Sequence, residues 1–195
     1  MLVTRPAPDF TATAVLGDDS FDESFSLSSL RGKYVVLFFY PLDFTFVCPT
    51  EILAFNEALS EFHSRNAEVV GISVDSQYSH LAWKRTDVDD GGIGPIGYPL
   101  VADLSKEIAR SYDVLLDDEV ALRGLFLIDR EGVIRHSVVN DLPLGRNVGE
   151  ALRMLDALRF HEEKGDVCPA NWSEGDDGMD ASQDGVVDYL SKFAK

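Results

Sequence analysis

Basic residues are scarce in this chain. Lysine and arginine together number 17 against 34 aspartates and glutamates, which gives a formal net charge of −17 at pH 7. That balance excludes a general affinity for nucleic acid or anionic membrane surfaces, since both associations depend on Lys and Arg meeting phosphate. Cysteine is scarcer still. Two residues, Cys48 and Cys168, cannot build a disulfide framework, and in a cytosolic chain they point to transient redox use. They do not form C-x-x-C, which argues against dithiol exchange within one motif. Together with four scattered histidines they give no zinc-ligand spacing, so no metal is expected. No run of about 18 apolar residues occurs, which excludes a helical membrane span. The opening residues lack the apolar segment of a signal peptide, and a cytoplasmic protein is expected. Gly91-Gly92-Ile93-Gly94-Pro95 lacks the G-K-[ST] ending of a phosphate loop and reads as a flexible loop.

What is present suits one domain with a sizeable core and an appended arm, in a chain of 195 residues. The acidic, lysine-poor surface has one physical setting in a salt-rich cytoplasm, where counterions screen its self-repulsion. The alternative is an ordinary acidic protein. Activity that collapses as salt is dialysed away marks the first; activity indifferent to salt marks the second.

The chain is organised around residues 34–51. Positions 34–40, Tyr-Val-Val-Leu-Phe-Phe-Tyr, form an unbroken apolar run that predicts a strand buried on both faces. Pro41 ends it, because proline cannot donate to a ladder. A short loop then delivers Cys48, followed at once by Pro49, and Ile52, Phe55, Leu59 and Phe62 recur as on one face of a helix. Cys48 is therefore expected at or just before a helix N-terminus. The helix dipole and unpaired N–H groups there favour a thiolate, and Thr45 can offer a hydroxyl to it. A lone cysteine is otherwise a small buried hydrophobe.

Either side of this stretch the pattern is of strands alternating with helices. Residues 1–31 hold a peripheral hairpin or short strand broken at Gly17-Asp18-Asp19, and Gly32 is the pivot into the central strand. Residues 68–75 read as a second apolar strand and 78–86 as a short helix. Residues 124–128 and 133–139 flank Asp129-Arg130-Glu131-Gly132, a type I turn sequence, and should form a hairpin. Residues 147–161 are helical, with an apolar stripe at Val148, Leu152, Leu155 and Leu158 and with Gly165 beyond. Such βαβ-plus-hairpin order predicts an α/β, thioredoxin-like fold: a mixed central sheet flanked by helices. The expected division is a domain over 1–165 and a C-terminal arm over 166–195. Within the arm, 173–185 is rich in Asp, Gly and Ser and is expected to be mobile.

Pro41, Thr45 and Cys48, in the form Phe-Tyr-Pro-Leu-Asp-Phe-Thr-Phe-Val-Cys-Pro-Thr-Glu, resemble the active-site segment of peroxiredoxins, specifically the typical 2-Cys class. Ala7-Pro8-Asp9-Phe10 and Val167-Cys168-Pro169 extend the resemblance along nearly the whole chain. It implies a thiol-dependent peroxidase in which Cys48 is the peroxidatic cysteine, Thr45 orients the peroxide and Pro41 shields the sulfur from water. Cys168 would be the resolving cysteine, supplied by the partner chain of a homodimer; without the resemblance it reads as an idle thiol on an arm. Arg123 would hold thiolate and peroxide together, where an arginine at a strand start otherwise reads as a surface charge. Glu51 would orient Arg123, or simply be an acid favoured near a helix N-terminus. The resemblance further implies a peroxide substrate, a thioredoxin-like dithiol reductant, no metal, flavin or haem cofactor, and dimers that commonly assemble as rings of five.

Gly91-Gly92-Ile93-Gly94 also resembles the G-G-L-G segment of overoxidation-sensitive members, but Tyr189-Leu190 stands where their Tyr-Phe would be, so that match is partial. Two other classes stay open: a thioredoxin-like exchanger or glutathione-using peroxidase, and a redox-switched assembly or holdase-type chaperone. None of His63, His80, His136 and His161 has the context of a Cys–His pair, and packed or solvated roles are expected for them.

Overall fold

The apolar pieces either side of Gly17-Asp18-Asp19 pair as an antiparallel hairpin of β1 (Thr11–Val15) and β2 (Phe21–Ser26). The run at 34–40 becomes β3 (Tyr34–Phe39), buried at every position as an unbroken run of apolar and aromatic side chains predicts. In the computed structural model, which describes residues 1–193, the chain forms two compact units, Met1–Val148 and Gly149–Lys195. In the first, β3 is followed by α1 (Cys48–Glu57), α2 (Leu59–Ser64), β4 (Ala67–Ser73), α3 (Gln77–Lys84), β5 (Leu100–Ala102), α4 (Glu107–Ser111), the small pair β6 (Leu115–Leu116) and β7 (Val120–Ala121), β8 (Arg123–Ile128) and β9 (Ile134–Asn140).

Seven strands make one mixed sheet in the order β2-β1-β5-β4-β3-β8-β9. β3 runs parallel to β4 and antiparallel to β8, so both of its edges are paired and its end can hold a site rigidly. This is the thioredoxin-like arrangement the sequence predicts, with one extension: β1 also pairs with β5, so the first hairpin widens the main sheet. The β8–β9 turn is as expected. Gly132 N–H donates to the Asp129 carbonyl at 2.9 Å, and Gly132 has φ +79°, a value only glycine adopts without strain.

Two expectations shift, and two elements appear where none was expected. The helix starting at Cys48 is not continuous: Ala58 (φ −85°, ψ 2°) separates α1 from α2, though Ile52, Phe55 and Phe62 still face inward. Residues 91–95 are packed, not loose, because Ile93 is buried and Trp83 Nε1 donates to the Gly91 carbonyl at 3.0 Å. β5 and α4 lie in a stretch that carried no expectation; they are too short for hydrophobic periodicity to show.

The second unit holds α6 (Gln183–Phe193) and all but the first residue of α5 (Val148–Lys164). Burial on α5 falls on Ala151, Leu155, Asp156 and Ala157, so of the predicted stripe Leu155 alone is fully covered. Contacts are made within the segment 173–185 and just before it. Val167 and Met179 form a β-bridge, Trp172 packs its ring against Phe160 at 4.9 Å, and Ser173 N–H donates to Asp176 Oδ2 at 2.9 Å. Among the described residues no helix is long and apolar enough to cross a membrane.

Candidate active site

The end of β3 and the start of α1 converge on Cys48. Cys48 is the first residue of α1 and Pro49 the second, where a missing N–H has no intrahelical partner to lose. Among the described residues, Val47, Thr50 and Glu51 close that first turn: Thr50 N–H donates to the Val47 carbonyl at 3.1 Å and Glu51 N–H to the same oxygen at 3.4 Å. The Cys48 side chain is fully buried.

Two donors meet the sulfur. Thr45 Oγ1 lies 2.9 Å from Cys48 Sγ, and Arg123 NH1 lies 3.4 Å from it. Thr45 Oγ1 is also 2.9 Å from the Leu42 carbonyl. A hydroxyl has one hydrogen, so it donates to Leu42 when Cys48 is a thiol and to the sulfur when Cys48 is a thiolate. Arg123 is buried at the first position of β8, and its Nε donates to the Leu142 carbonyl at 2.7 Å.

Glu51 fixes the remaining face of that guanidinium: Arg123 NH1 donates to Glu51 Oε2 at 2.7 Å. Glu51 in turn is held by Arg146, a residue that carries no local signal in the sequence. Arg146 donates to Glu51 Oε1 from its backbone N–H at 2.8 Å and from Nε at 2.7 Å, and to Oε2 from NH2 at 2.9 Å. Its NH1 donates to the carbonyls of Phe39 at 2.8 Å and Gly124 at 2.6 Å, and its guanidinium lies 5.2 Å from the Phe38 ring centroid. Burial alone would push the Glu51 carboxyl up, but the hydrogen bonds and charge of Arg146, with the Arg123 charge behind them, hold it below its ordinary range.

The structure thus brings Thr45, Cys48, Glu51 and Arg123 together. Pro41 is buried where β3 ends, one residue beyond Tyr40. Cys168 belongs to the second unit, half-buried, with its S–H donating to the Ala157 carbonyl at 3.4 Å. Burial pushes the Cys168 thiol up, and the charge of Arg153 pulls the other way. Of the histidines, His80 is buried against Asp43, and His63 and His161 are exposed. The neighbours of Cys48 are donors, and a guanidinium cannot ligate a metal; the set suits an anionic or oxygen-rich reactant.

Comparison with known proteins agrees with that chemistry. The model of the AhpC/TSA family matches residues 3–137, and that of the C-terminal domain of 1-Cys peroxiredoxin matches residues 157–192, a span that here contains the second cysteine. Alkyl hydroperoxide reductase C of Helicobacter pylori is 56% identical over 193 residues, covering 98% of each chain. Peroxiredoxin-2 of Bos taurus is 53% identical over 191 residues, covering 97% of this chain and 95% of its own. The crystal structure of reduced Plasmodium vivax 2-Cys peroxiredoxin superposes with a TM-score of 0.96 at 53% identity, covering 98% of this chain and 99% of the other. A match along nearly the full length at such identities places the chain in the AhpC/TSA family, and this protein is a thiol-dependent peroxidase of the peroxiredoxin type.

Proposed function

We propose that the peroxidase reaction runs on Cys48, and the observation that carries this is the Cys48 sulfur lying between the Thr45 hydroxyl at 2.9 Å and the Arg123 guanidinium at 3.4 Å. The thiolate attacks one oxygen of the peroxide, the S–O bond forms as the O–O bond breaks, and the departing oxygen takes a proton to leave as water or alcohol. Sulfur is oxidised by two electrons to a sulfenic acid. Arg123 and Thr45 aim their donors at the charge that develops on the oxygens, and Pro41, buried at the strand end, helps keep water from the sulfur. Glu51 keeps the Arg123 guanidinium turned toward the sulfur by holding NH1 at 2.7 Å.

Regeneration falls to the arm. Residues 1–165 act as the peroxidase domain and 166–195 as the arm, of which the last two residues lie outside those described. The thiolate of the partner's Cys168 attacks the sulfenic sulfur, the S–S bond forms and the hydroxyl leaves as water. A thioredoxin-like dithiol then restores both thiols by exchange, becoming oxidised itself. Cys48 is fully buried in the first turn of α1, and a disulfide needs Cα atoms within about 7 Å. The first turn of α1 therefore has to unwind for this step. Exposed apolar side chains support assembly: Phe46 is 94% exposed beside the site, with Phe44 and Tyr78 also open to water. A homodimer, and a ring of five dimers built from it, would cover them. Two thiols recycled by a dithiol fit a reducing, cytoplasmic compartment.

The test is a non-reducing gel with intact mass after about one equivalent of hydrogen peroxide. Wild type is expected to give a disulfide-linked dimer that Cys48→Ser and Cys168→Ser both lose. Cys168→Ser should accumulate sulfenic or sulfinic acid on Cys48. Oxidation of Cys168 with Cys48 left reduced would overturn the assignment.

A further inference from the structure

Behind the loop that carries Thr45 lies a buried polar cluster the reaction does not use. Asp43 is 7% exposed and the His80 side chain is fully buried. Their contact is close, His80 Nδ1 to Asp43 Oδ2 at 2.8 Å, and Tyr40 O–H donates to Asp43 Oδ1 at 2.9 Å. On the opposite side His80 Nε2 faces the Val101 carbonyl at 3.2 Å. The ring is thus clamped between β5 and the loop, one nitrogen against a backbone carbonyl and the other against a carboxylate. The backbone of Asp43 is held too: its N–H donates to Asp75 Oδ2 at 2.8 Å, an oxygen that also accepts from the Ser73 hydroxyl at 2.8 Å. Burial pushes the Asp75 carboxyl up, and the charge of Asp43 adds to it.

The position of this clamp in the chain is informative. Phe44, the residue after Asp43, has φ +52°, a left-handed conformation that costs a non-glycine residue free energy and persists only when its surroundings enforce it. Thr45 comes next. Its hydroxyl is aimed at Cys48 from a backbone that Asp43 pins by both main chain and side chain, while the Phe44 ring leans on Trp83 at 5.7 Å. Relaxing Phe44 to an ordinary conformation would rotate the following peptide and turn Thr45 away from the sulfur.

We propose that Asp43 and His80, with Tyr40, Ser73 and Asp75, are positioning residues for the peroxidase reaction: they hold residues 41–47 in the conformation that aims Thr45 at Cys48. The inference rests on the reading of Cys48 as the attacking thiol. The cluster never touches peroxide. It acts by fixing Thr45, and small displacements of a positioned group are costly in rate.

Two substitutions of His80 separate positioning from bulk stability. His80→Asn keeps a donor near the Nδ1 position, toward Asp43. His80→Gln keeps one near the Nε2 position, toward the Val101 carbonyl, and releases Asp43. The measurement is the second-order rate constant for oxidation of the reduced full-length protein by hydrogen peroxide in a single turnover, with a melting curve for each variant. His80→Gln is expected to slow oxidation by about tenfold or more, and His80→Asn to stay within about threefold of wild type, although both melt earlier. Wild-type rates in both, or equal slowing in both, would overturn the proposal. Should neither His80 variant fold, Tyr40→Phe removes one bond to Asp43 while keeping the ring; a drop of about threefold or more supports the clamp, and an unchanged rate overturns it. Cys48→Ser serves as the separate control. Retained peroxide consumption there would sink the Cys48 reading itself, whatever the clamp variants do.

Discussion

Arg123→Met is expected to lower the rate constant for oxidation of Cys48 by hydrogen peroxide about 100- to 1,000-fold, with the protein still folded. The magnitude is that of removing one preorganised donor from a site where negative charge develops. Methionine retains most of the apolar stem but offers no hydrogen to Sγ, which Arg123 NH1 approaches to 3.4 Å. Folding survives because Glu51 is not left alone. Arg146 continues to donate to both of its oxygens, at 2.7 and 2.9 Å, so the buried carboxylate keeps its counter-charge. The loss at the Leu142 carbonyl, now without the Arg123 Nε donor at 2.7 Å, is one hydrogen bond, about 1 kcal/mol. Arg123→Lys should fall between: an ammonium supplies charge but cannot span Leu142, Glu51 and the sulfur at once. Stopped-flow single-turnover kinetics at fixed pH, with melting curves alongside, give both numbers. A slowing of less than about threefold in Arg123→Met would remove Arg123 from the reaction.

How far these groups could be read in advance depended on whether their signal was local. β3 was legible because six consecutive buried positions leave an unbroken apolar run. Cys48 was legible because a proline on each side of the loop marks where the strand stops and the helix starts. The β8–β9 hairpin was legible from Asp129 and Gly132, which are adjacent in the turn they make. Arg146 was not. It sits in Leu142-Pro143-Leu144-Gly145-Arg146-Asn147, where an arginine looks like any loop cation, and its partners Phe39, Glu51 and Gly124 are scattered along the chain. The Asp43–His80 clamp escaped for the same reason: 37 residues separate two groups that fit neither a metal spacing nor a Cys–His pair. The Ala58 break and the three-residue β5 escaped for another, since hydrophobic periodicity resolves neither a single interrupting residue nor so short a strand.

Arg146→Met is expected to be the most destabilising single change at the site, at about 3–5 kcal/mol, because it strips the main counter-charge from a buried carboxylate. In a chain of this length that corresponds to a fall in Tm on the order of 10 °C. The side chains of Arg146 and Glu51 are 2% and 3% exposed, so water cannot replace the lost bonds. The carbonyls of Phe39 and Gly124, at the ends of β3 and β8, lose their donor together. The pH dependence provides an independent check. In the wild type the Glu51 carboxyl is held below its ordinary range, so its contribution is fully present above the unfolded value of about 4.3 and is lost as pH falls through the folded value. The stability gap between wild type and Glu51→Gln should therefore be widest near neutrality and close as the solution is acidified below about pH 4. In Arg146→Met the balance inverts. Burial, the largest influence on this carboxyl, is then opposed by Arg123 alone, and protonation relieves the site, so acidification should narrow the deficit of the variant against wild type. Removing the charge should do the same at neutral pH: the double variant Glu51→Gln/Arg146→Met is expected to be more stable than Arg146→Met alone, an interaction a double-mutant cycle measures directly. Denaturant titrations of the four proteins at neutral and acidic pH decide it, and an Arg146→Met curve that overlays the wild type would mean that Arg123 alone satisfies Glu51.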